Sequence, residues 1–146
     1  MSITYKDAKI ISNEEIATGI FKMSVEDTNE INAGQFYMLK HKGQTLLPRP
    51  ISICEKNDDK LTFLYAVVGT GTKEYVDLKE GDTISLTGPL GNGFDLNKEY
   101  GKVALVGGGI GIAPLLELSK QLRSKNRDEK IDLYAGFRDE IYLVDD

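Results

Sequence analysis

Arg49 begins a short run whose side chains could bind an anion and the edge of an aromatic ring. The run reads Arg49, Pro50, Ile51, Ser52. A guanidinium carries a permanent charge and a planar fork of donors that suits a diphosphate, and Pro50 fixes the backbone beside it. The Ser52 hydroxyl can donate or accept, which suits a ring whose hydrogen-bonding pattern changes on reduction. The alternative is a surface arginine beside an ordinary strand serine.

Two glycine-rich segments that follow could bring backbone close to the same ligand. Residues 69–72 read Gly-Thr-Gly-Thr and precede a short helix that we predict from Thr72 to Leu78, with Thr72 as its N-cap. The amides of this turn could hold a diphosphate, or the turn could simply require glycine. Residues 88–94 contain three further glycines and end at Phe94, whose ring is predicted to pack at a seam between domains.

A third segment has the context of a nucleotide-binding junction between a strand and a helix. Residues 106–114 read Val-Gly-Gly-Gly-Ile-Gly-Ile-Ala-Pro, after an apolar run at 102–106 that is typical of a parallel strand buried on both faces. The pattern G-x-G-x-x-G is incomplete, because its third glycine is replaced by Ile112 or Pro114 according to the starting point. The alternative is a junction whose glycines only let helix and strand pack closely.

The elements that must position these segments fall into two zones. Short runs rich in β-branched and aromatic residues predict a six-stranded antiparallel barrel in residues 1–98. A strand, a helix and a second strand at 131–136 predict the start of a parallel-sheet α/β domain in residues 99–146. The six barrel strands are predicted at residues 6–12, 20–26, 35–40, 51–56, 61–68 and 83–86.

Composition excludes several classes of function. The 146 residues carry a net charge of −5 with no basic stripe, which argues against nucleic acid as a partner. No apolar run approaches the roughly 20 residues that span a bilayer, and the polar start lacks a signal-peptide core, so we predict a cytoplasmic protein. Cys54 is the single cysteine, which excludes an internal disulfide or a four-cysteine metal site and is predicted to be a small buried hydrophobe.

The motifs at 49–54, 67–72, 88–94 and 106–115 resemble, in order and spacing, those of the ferredoxin reductase-like superfamily. Within it they resemble the electron-transfer subunits of type B dihydroorotate dehydrogenases. The resemblance implies that this chain binds FAD in its barrel and NAD(H) in its second zone. By the same resemblance, Arg49, Pro50, Ile51 and Ser52 would meet the FAD, Leu64, Tyr65 and Ala66 would flank it through strand backbone, Gly71 and Thr72 would bind its diphosphate, and Gly107, Gly108, Gly109 and Gly111 would serve the nicotinamide side.

The same resemblance implies an electron path that joins NAD(H), FAD, a two-iron, two-sulfur cluster and FMN in a separate dihydroorotate dehydrogenase catalytic subunit. In pyrimidine synthesis the path would run from dihydroorotate to NAD. The family continues for roughly another half domain, which carries its cluster cysteines, and those cysteines are absent here. We therefore predict a truncated chain that retains FAD, has an incomplete NAD(H) site and is inactive alone. Ala66 also stands where relatives often carry a basic residue.

Two alternatives remain open at this stage. The chain could be the small FAD subunit of a related NADH-dependent ferredoxin:NADP oxidoreductase or hydrogenase, because those proteins share similar FAD motifs. It could also be a non-catalytic interaction module whose unfinished parallel sheet is covered by a partner, or by a second copy of the chain in a homo-oligomer.

Overall fold

The computed structural model describes residues 3–42, 47–125 and 130–144. A barrel comes first along the chain, and a small parallel sheet with one long helix follows it. The barrel strands are β1 (Thr4–Ala17), β2 (Ile20–Glu26), β3 (Phe36–Lys40), β4 (Arg49–Asn57), β5 (Lys60–Ala66) and β6 (Thr83–Leu90), with helix α1 (Thr70–Tyr75) between β5 and β6. The second part contains β7 (Lys102–Gly108), a 3-10 turn (Gly109–Ile112), α2 (Ala113–Lys125) and β8 (Lys130–Gly136).

The six barrel strands close on themselves in the order β1-β2-β5-β4-β3-β6, with every neighbouring pair antiparallel. The closing pair joins β1 to β6, from Thr4 opposite Gly88 to Lys9 opposite Thr83. This confirms the predicted six-stranded antiparallel barrel. The tight turn between β4 and β5 lies at Asp58 and Asp59.

Strand β5 supplies the centre of the barrel core. Leu61, Phe63 and Tyr65 are buried on one face, as their alternation predicts, and the Tyr65 ring stacks on Phe21 at a centroid distance of 5.5 Å. Leu64 points to the outer face and is nevertheless only 3% exposed, because the start of α2 packs over it. One flank of the barrel is therefore covered by the second part of the chain.

Helix α2 packs its apolar side against both parts of the chain. Leu105 from β7 and Ala33 from the loop before β3 lie in one cluster with Leu115, Leu118 and Leu122. Strands β7 and β8 are parallel and in register from Lys102 opposite Lys130 to Gly108 opposite Gly136, which confirms the predicted strand, helix and parallel strand.

The predicted burial of β7 on both faces is wrong. Within the described part of the chain, Leu105 is the buried residue of this strand, and Val106 is 74% exposed. The physical reason is that α2 covers one face of the two-stranded sheet, and no described element lies on the other. A one-turn 3-10 segment separates β7 from α2.

The predicted start and end of the first helix are also wrong. Gly69 is the N-cap in an extended conformation, and α1 runs from Thr70 to Tyr75. Thr72 lies one turn inside, where its hydroxyl accepts the backbone N–H groups of Val68 at 3.0 Å and Gly69 at 3.1 Å. The side chain therefore reaches back to hold the turn that enters the helix. Across the described ranges, none of the helices is long and apolar enough to cross a membrane.

Candidate functional site

A cleft of about 490 Å³ lies between the barrel and the start of α2. Two adjacent barrel strands form one side of it, and the 3-10 turn with the first residues of α2 forms the other. Its lining comprises Arg49, Pro50, Ile51 and Ser52 from β4, Leu64, Tyr65 and Ala66 from β5, Val68 and Thr72 at the start of α1, and Ile110, Gly111, Ala113 and Pro114 from the glycine-rich junction.

Strand β4 brings its first four residues to the cleft because it pairs with β3 along this stretch. Arg49 lies opposite Leu39, and Ser52 lies opposite Phe36. Alternation then leaves Pro50 and Ser52 exposed on one face, whereas Ile51 packs against the barrel core. The run singled out in the sequence therefore presents a charge, a rigid apolar ring and a hydroxyl along one side of the cleft.

The Arg49 guanidinium is available for an anionic ligand. Within residues 3–42, 47–125 and 130–144, no carboxylate forms an ion pair with it. Arg49 affects the ionisation of Tyr75 at the end of α1. Burial raises the pKa of Tyr75 to about 12, and the positive charge of Arg49 opposes that rise. Arg49 thus lies on the side of the barrel that carries α1, and it lines the cleft together with Val68 and Thr72 of the predicted diphosphate turn.

Strand β5 offers mainly backbone to the cleft. The Tyr65 ring points into the barrel, where its hydroxyl donates to Asn13 Oδ1 at 2.9 Å and burial raises its pKa. Leu64 is covered by Ala113, and Ala66 is half-buried. Because the large side chains turn inward or under α2, a ligand beside β5 would meet the main chain and small groups.

The turn at the start of α1 is fixed by its own side chain. Gly71 precedes Thr72 in this helix, and Thr72 is a lining residue whose side chain is mostly buried. The Thr72 hydroxyl accepts two backbone N–H groups and can donate to the Gly69 carbonyl at 3.1 Å. These hydrogen bonds hold the turn in shape without any ligand.

The four glycines of the second junction do not share one role. Gly111 lines the cleft and has open space where a side chain would be, as has Gly108. Gly107 is packed against α2, since a Cβ atom there would lie 2.8 Å from Leu115 Cδ1 and 3.0 Å from Ile112 Cγ2. Gly109 has a φ of +54°, in the left-handed region that favours glycine. Gly107, Gly108 and Gly109 lie outside the lining of the cleft.

Sequence reasoning missed two apolar residues at the rim. Val68 is 84% exposed, and Ile110 is 37% exposed. Each flanks a glycine motif, and Val68 is the last residue of the predicted strand 61–68, so hydrophobic pattern alone gives no reason to assign either residue to a ligand site. Their position in the sequence could have indicated them, because each adjoins a glycine-rich turn that is predicted to approach a ligand.

Cys54 behaves as a small core residue beside this site. It is 1% exposed under Ala113 and Leu64, and burial, reinforced by the charge of Glu55, raises its pKa to about 12. His41 is half-exposed, with Nδ1 2.9 Å from the Lys42 carbonyl. The described residues contain no group of three or more His, Cys, Asp and Glu side chains that could hold a metal ion.

Comparison with known sequences identifies relatives along the whole chain, although no family model matches it. The electron transfer subunit of dihydroorotate dehydrogenase B (NAD(+)) from Clostridium perfringens is 55% identical over 146 residues. Its counterpart from Clostridium acetobutylicum is 44% identical over 146 residues. These alignments cover 100% and 99% of this chain but 59% and 58% of the two relatives. The chain thus spans less than two thirds of the length of the curated relatives it matches.

Solved structures with the same fold include reductases and an oxidoreductase. An NADH-dependent reduced ferredoxin-NADP oxidoreductase superimposes with a TM-score of 0.83 at 31% identity, covering 94% of this chain and 51% of its own. Phthalate dioxygenase reductase gives a TM-score of 0.81 at 26% identity, with 92% and 44% covered. The barrel, the cleft and the junction therefore define a ferredoxin reductase-like protein. Within that class, the chain belongs with the electron transfer subunits of dihydroorotate dehydrogenase B, the family that its motifs resemble.

Proposed function

We propose that the cleft between β4, β5 and α2 binds FAD. The observation that carries this proposal is the convergence of three separate segments on one space of about 490 Å³, a volume in the range of cofactor pockets. The donor set suits the ligand, because Arg49 has no carboxylate partner within the described ranges and the neighbouring lining is apolar. The anionic and aromatic parts of FAD would each meet a matching surface.

Each wall of the cleft has its own task in this proposal. Arg49 would bind the diphosphate together with the backbone of Gly71 and Thr72, and the Thr72 hydroxyl would hold that turn in shape. Ser52 would hydrogen-bond the ring edge, and the main chain of β5 would lie along it. Ala113 and Pro114 would exclude water from the other side. When bound, FAD supplies the exchange between two-electron and one-electron transfer.

We further propose that the chain forms the flavin-binding part of an electron transfer subunit of dihydroorotate dehydrogenase B. The support is 55% identity along the whole chain to a protein of that name. A catalytic subunit that carries FMN and oxidises dihydroorotate would be its partner. Gly107, Gly108, Gly109 and Gly111 would serve the NAD(H) side. The single cysteine does not fit the thiolate set of a two-iron, two-sulfur cluster, so no cluster is assigned to these residues.

The domain boundaries and the cellular location predicted from the sequence are also proposals. A division of the chain into residues 1–98 and 99–146 would place the barrel and the nucleotide-binding segment in separate domains. The cytoplasm is the location that pyrimidine synthesis would require.

A second candidate function is favoured by one structural neighbour. The NADH-dependent reduced ferredoxin-NADP oxidoreductase matches the fold at 31% identity, and its FAD-binding unit would use similar motifs. Partner choice separates the two candidates. A full-length protein that contains this chain should support dihydroorotate-dependent NAD reduction with a dihydroorotate-oxidising subunit, and failure with an authentic partner would favour the second candidate.

Flavin binding itself can be measured on this chain. The purified chain is mixed with FAD, passed through gel filtration and examined by visible absorption. We expect the chain to retain a flavin absorption band. Arg49→Ala should weaken this band and raise the Kd for FAD about tenfold or more, because the guanidinium is the charged contact to the diphosphate. Arg123→Ala removes an exposed arginine from the last turn of α2 and serves as the matched control.

The outcomes of this experiment are distinct. Retention by the Arg123→Ala variant with loss by Arg49→Ala supports the assignment of the cleft. Equal retention by both variants would refute the role of Arg49. A folded chain that retains no flavin would contradict FAD binding by this chain and move the non-catalytic interaction module ahead.

A further inference from the structure

Helix α2 carries a carboxylate on the side that faces the barrel. The Glu117 side chain is 4% exposed, although the helix is otherwise packed through leucines and Ala113. A charged group that is removed from water is costly unless hydrogen bonds and opposite charge replace the lost hydration. Glu117 therefore requires partners, and their positions indicate what it does.

The main partner of Glu117 is the backbone of β4. Its Oε2 accepts the N–H of Lys56 at 2.9 Å. Among the described residues, β3 pairs with β4 from Arg49 to Ser52, and the last main-chain bond on that side joins Ile53 to the Gln35 carbonyl at 3.1 Å. Beyond that point no described strand lies along this edge of β4, and the Glu117 carboxylate supplies the acceptor that a neighbouring strand would otherwise provide.

Neighbouring side chains of α2 complete the attachment. Lys120 Nζ lies 3.9 Å from Glu117 Oε2 and also donates to the Lys56 carbonyl. Gln121 Nε2 donates to Glu117 Oε1 at 3.1 Å, and Gln121 Oε1 accepts the N–H of Ala33 at 3.0 Å. Two separate barrel segments, β4 and the loop before β3, are thus held by one face of α2.

Helix α2 and strand β4, which Glu117 joins, also form opposite walls of the cleft. Ala113 at the start of α2 lines one wall and lies one helical turn, about 6 Å along the axis, from Glu117. Ser52 lines the opposite wall and lies four residues, about 13 Å, along β4 from Lys56. Strand β4 has a register shift between Ile53 and Glu55 but is paired with β5 on both sides of it, and α2 is one continuous helix. The bond between Glu117 and Lys56 therefore constrains the separation of the walls.

We propose that Glu117, supported by Gln121, is a positioning residue that sets the width of the cofactor cleft. It touches no proposed ligand and acts through Lys56 on β4 and through the axis of α2. The inference rests on the proposed FAD site for its consequence, but the width of the cleft can be measured without any ligand.

The test compares three variants of the chain by pulsed electron spin resonance. Spin labels at Glu80→Cys on the barrel and Arg123→Cys on α2 report their separation, and both positions are exposed. Cys54 is buried, and mass spectrometry checks that two labels are attached. Glu117→Leu removes the acceptor at similar volume, Glu117→Gln retains a carbonyl acceptor for the Lys56 N–H, and Gln121→Met removes the second attachment.

We expect the distance distribution to broaden about twofold in Glu117→Leu and Gln121→Met and to stay narrow in Glu117→Gln. The Kd for FAD should rise about tenfold in Glu117→Leu and stay within about twofold in Glu117→Gln. Measurements are made well below the unfolding temperature of each variant. If Glu117 only stabilised the folded state, the distance distribution would therefore be unchanged.

A folded Glu117→Leu variant with the parent distance distribution would overturn the proposal. If that variant does not fold, an unchanged distribution in Gln121→Met is the overturning result. If the parent chain binds no FAD, the proposed function fails, whereas the distance measurement still decides the role of Glu117.

Discussion

Gly107 packs directly against Leu115: a Cβ atom at this glycine would lie 2.8 Å from Leu115 Cδ1. Leu115 could rotate away, but the Cα atom of Ile112, at 3.2 Å, belongs to the backbone and could not. We expect Gly107→Ala to destabilise the chain by about 1–2 kcal/mol through overpacking. Urea unfolding followed by circular dichroism measures this change.

The control for that prediction lies one residue further along the strand. Among the described residues, no atom would lie within 4 Å of a Cβ atom at Gly108, and its φ of −116° is one that alanine readily adopts. Gly108→Ala should leave stability unchanged or raise it by about 0.5 kcal/mol, because alanine restricts the unfolded chain. Equal destabilisation by both substitutions would show that the contact with α2 is not the cause.

Thr72 should be sensitive to loss of its hydroxyl rather than to loss of its methyl group. Thr72→Val leaves the N–H groups of Val68 and Gly69 without their acceptor, so we expect a loss of about 1–2 kcal/mol in unfolding free energy. Thr72→Ser keeps the acceptor and should lose less than half as much. A serine variant as unstable as the valine variant would assign the effect to packing.

The stability of the fold should fall at alkaline pH because of Cys54. Its pKa is raised from 9.0 to about 12 in the folded chain, so the unfolded thiol ionises first. The contribution of the protonated thiol to the free energy of unfolding is complete below pH 9. It decreases as pH rises from about 9 to 12, by at most about 1.4 kcal/mol per pH unit. Urea unfolding between pH 8 and 10 should show this slope, and Cys54→Ala should reduce it.

A parallel measurement checks the burial of that thiol. In the folded chain at pH 8, Cys54 should react far more slowly with a disulfide reagent than in 6 M guanidinium, since burial both blocks access and disfavours the thiolate. Rapid reaction of the folded chain would contradict the packing of α2 over this strand.

Asp27 should be the most sensitive carboxylate at the far end of the barrel. Its side chain is fully buried, pairs with Lys6, and accepts the Tyr37 hydroxyl at 2.9 Å. Asp27→Ala leaves the tyrosine without its acceptor and should cost about 3 kcal/mol. Asp58→Ala, in the exposed β4–β5 turn, should change stability by less than about 0.5 kcal/mol. Thermal unfolding of the two variants gives the comparison.

The sequence predicted the barrel well because strand alternation and turn residues are local signals. Leu61, Phe63 and Tyr65 share a face because the side-chain period of a strand fixes it. The first residues of β4 and the last residues of β5 line one cleft, and their contact with FAD stays a prediction. What the sequence could not show was which faces another element covers. Val106 is exposed because α2 lies on the other side of the sheet.

The sequence pattern also could not predict which side chains form hydrogen bonds between α2 and the barrel. Glu117 and Gln121 follow Ala113 at intervals of four residues, so they form one stripe along the helix. Polar residues on such a stripe normally indicate a solvated face. Here the stripe faces an unpaired strand edge and a loop, and only tertiary structure places backbone donors opposite these side chains.

The closing pair of the barrel has a consequence for synthesis on the ribosome. Thr4 lies opposite Gly88, and 84 residues separate the two in the chain. At about 5–20 residues per second, β1 would leave the ribosome roughly 4 to 17 seconds before the strand that completes its pairing. During that interval one edge of a 14-residue strand has no native neighbour. The nascent chain would then be most prone to mispairing and to binding by chaperones.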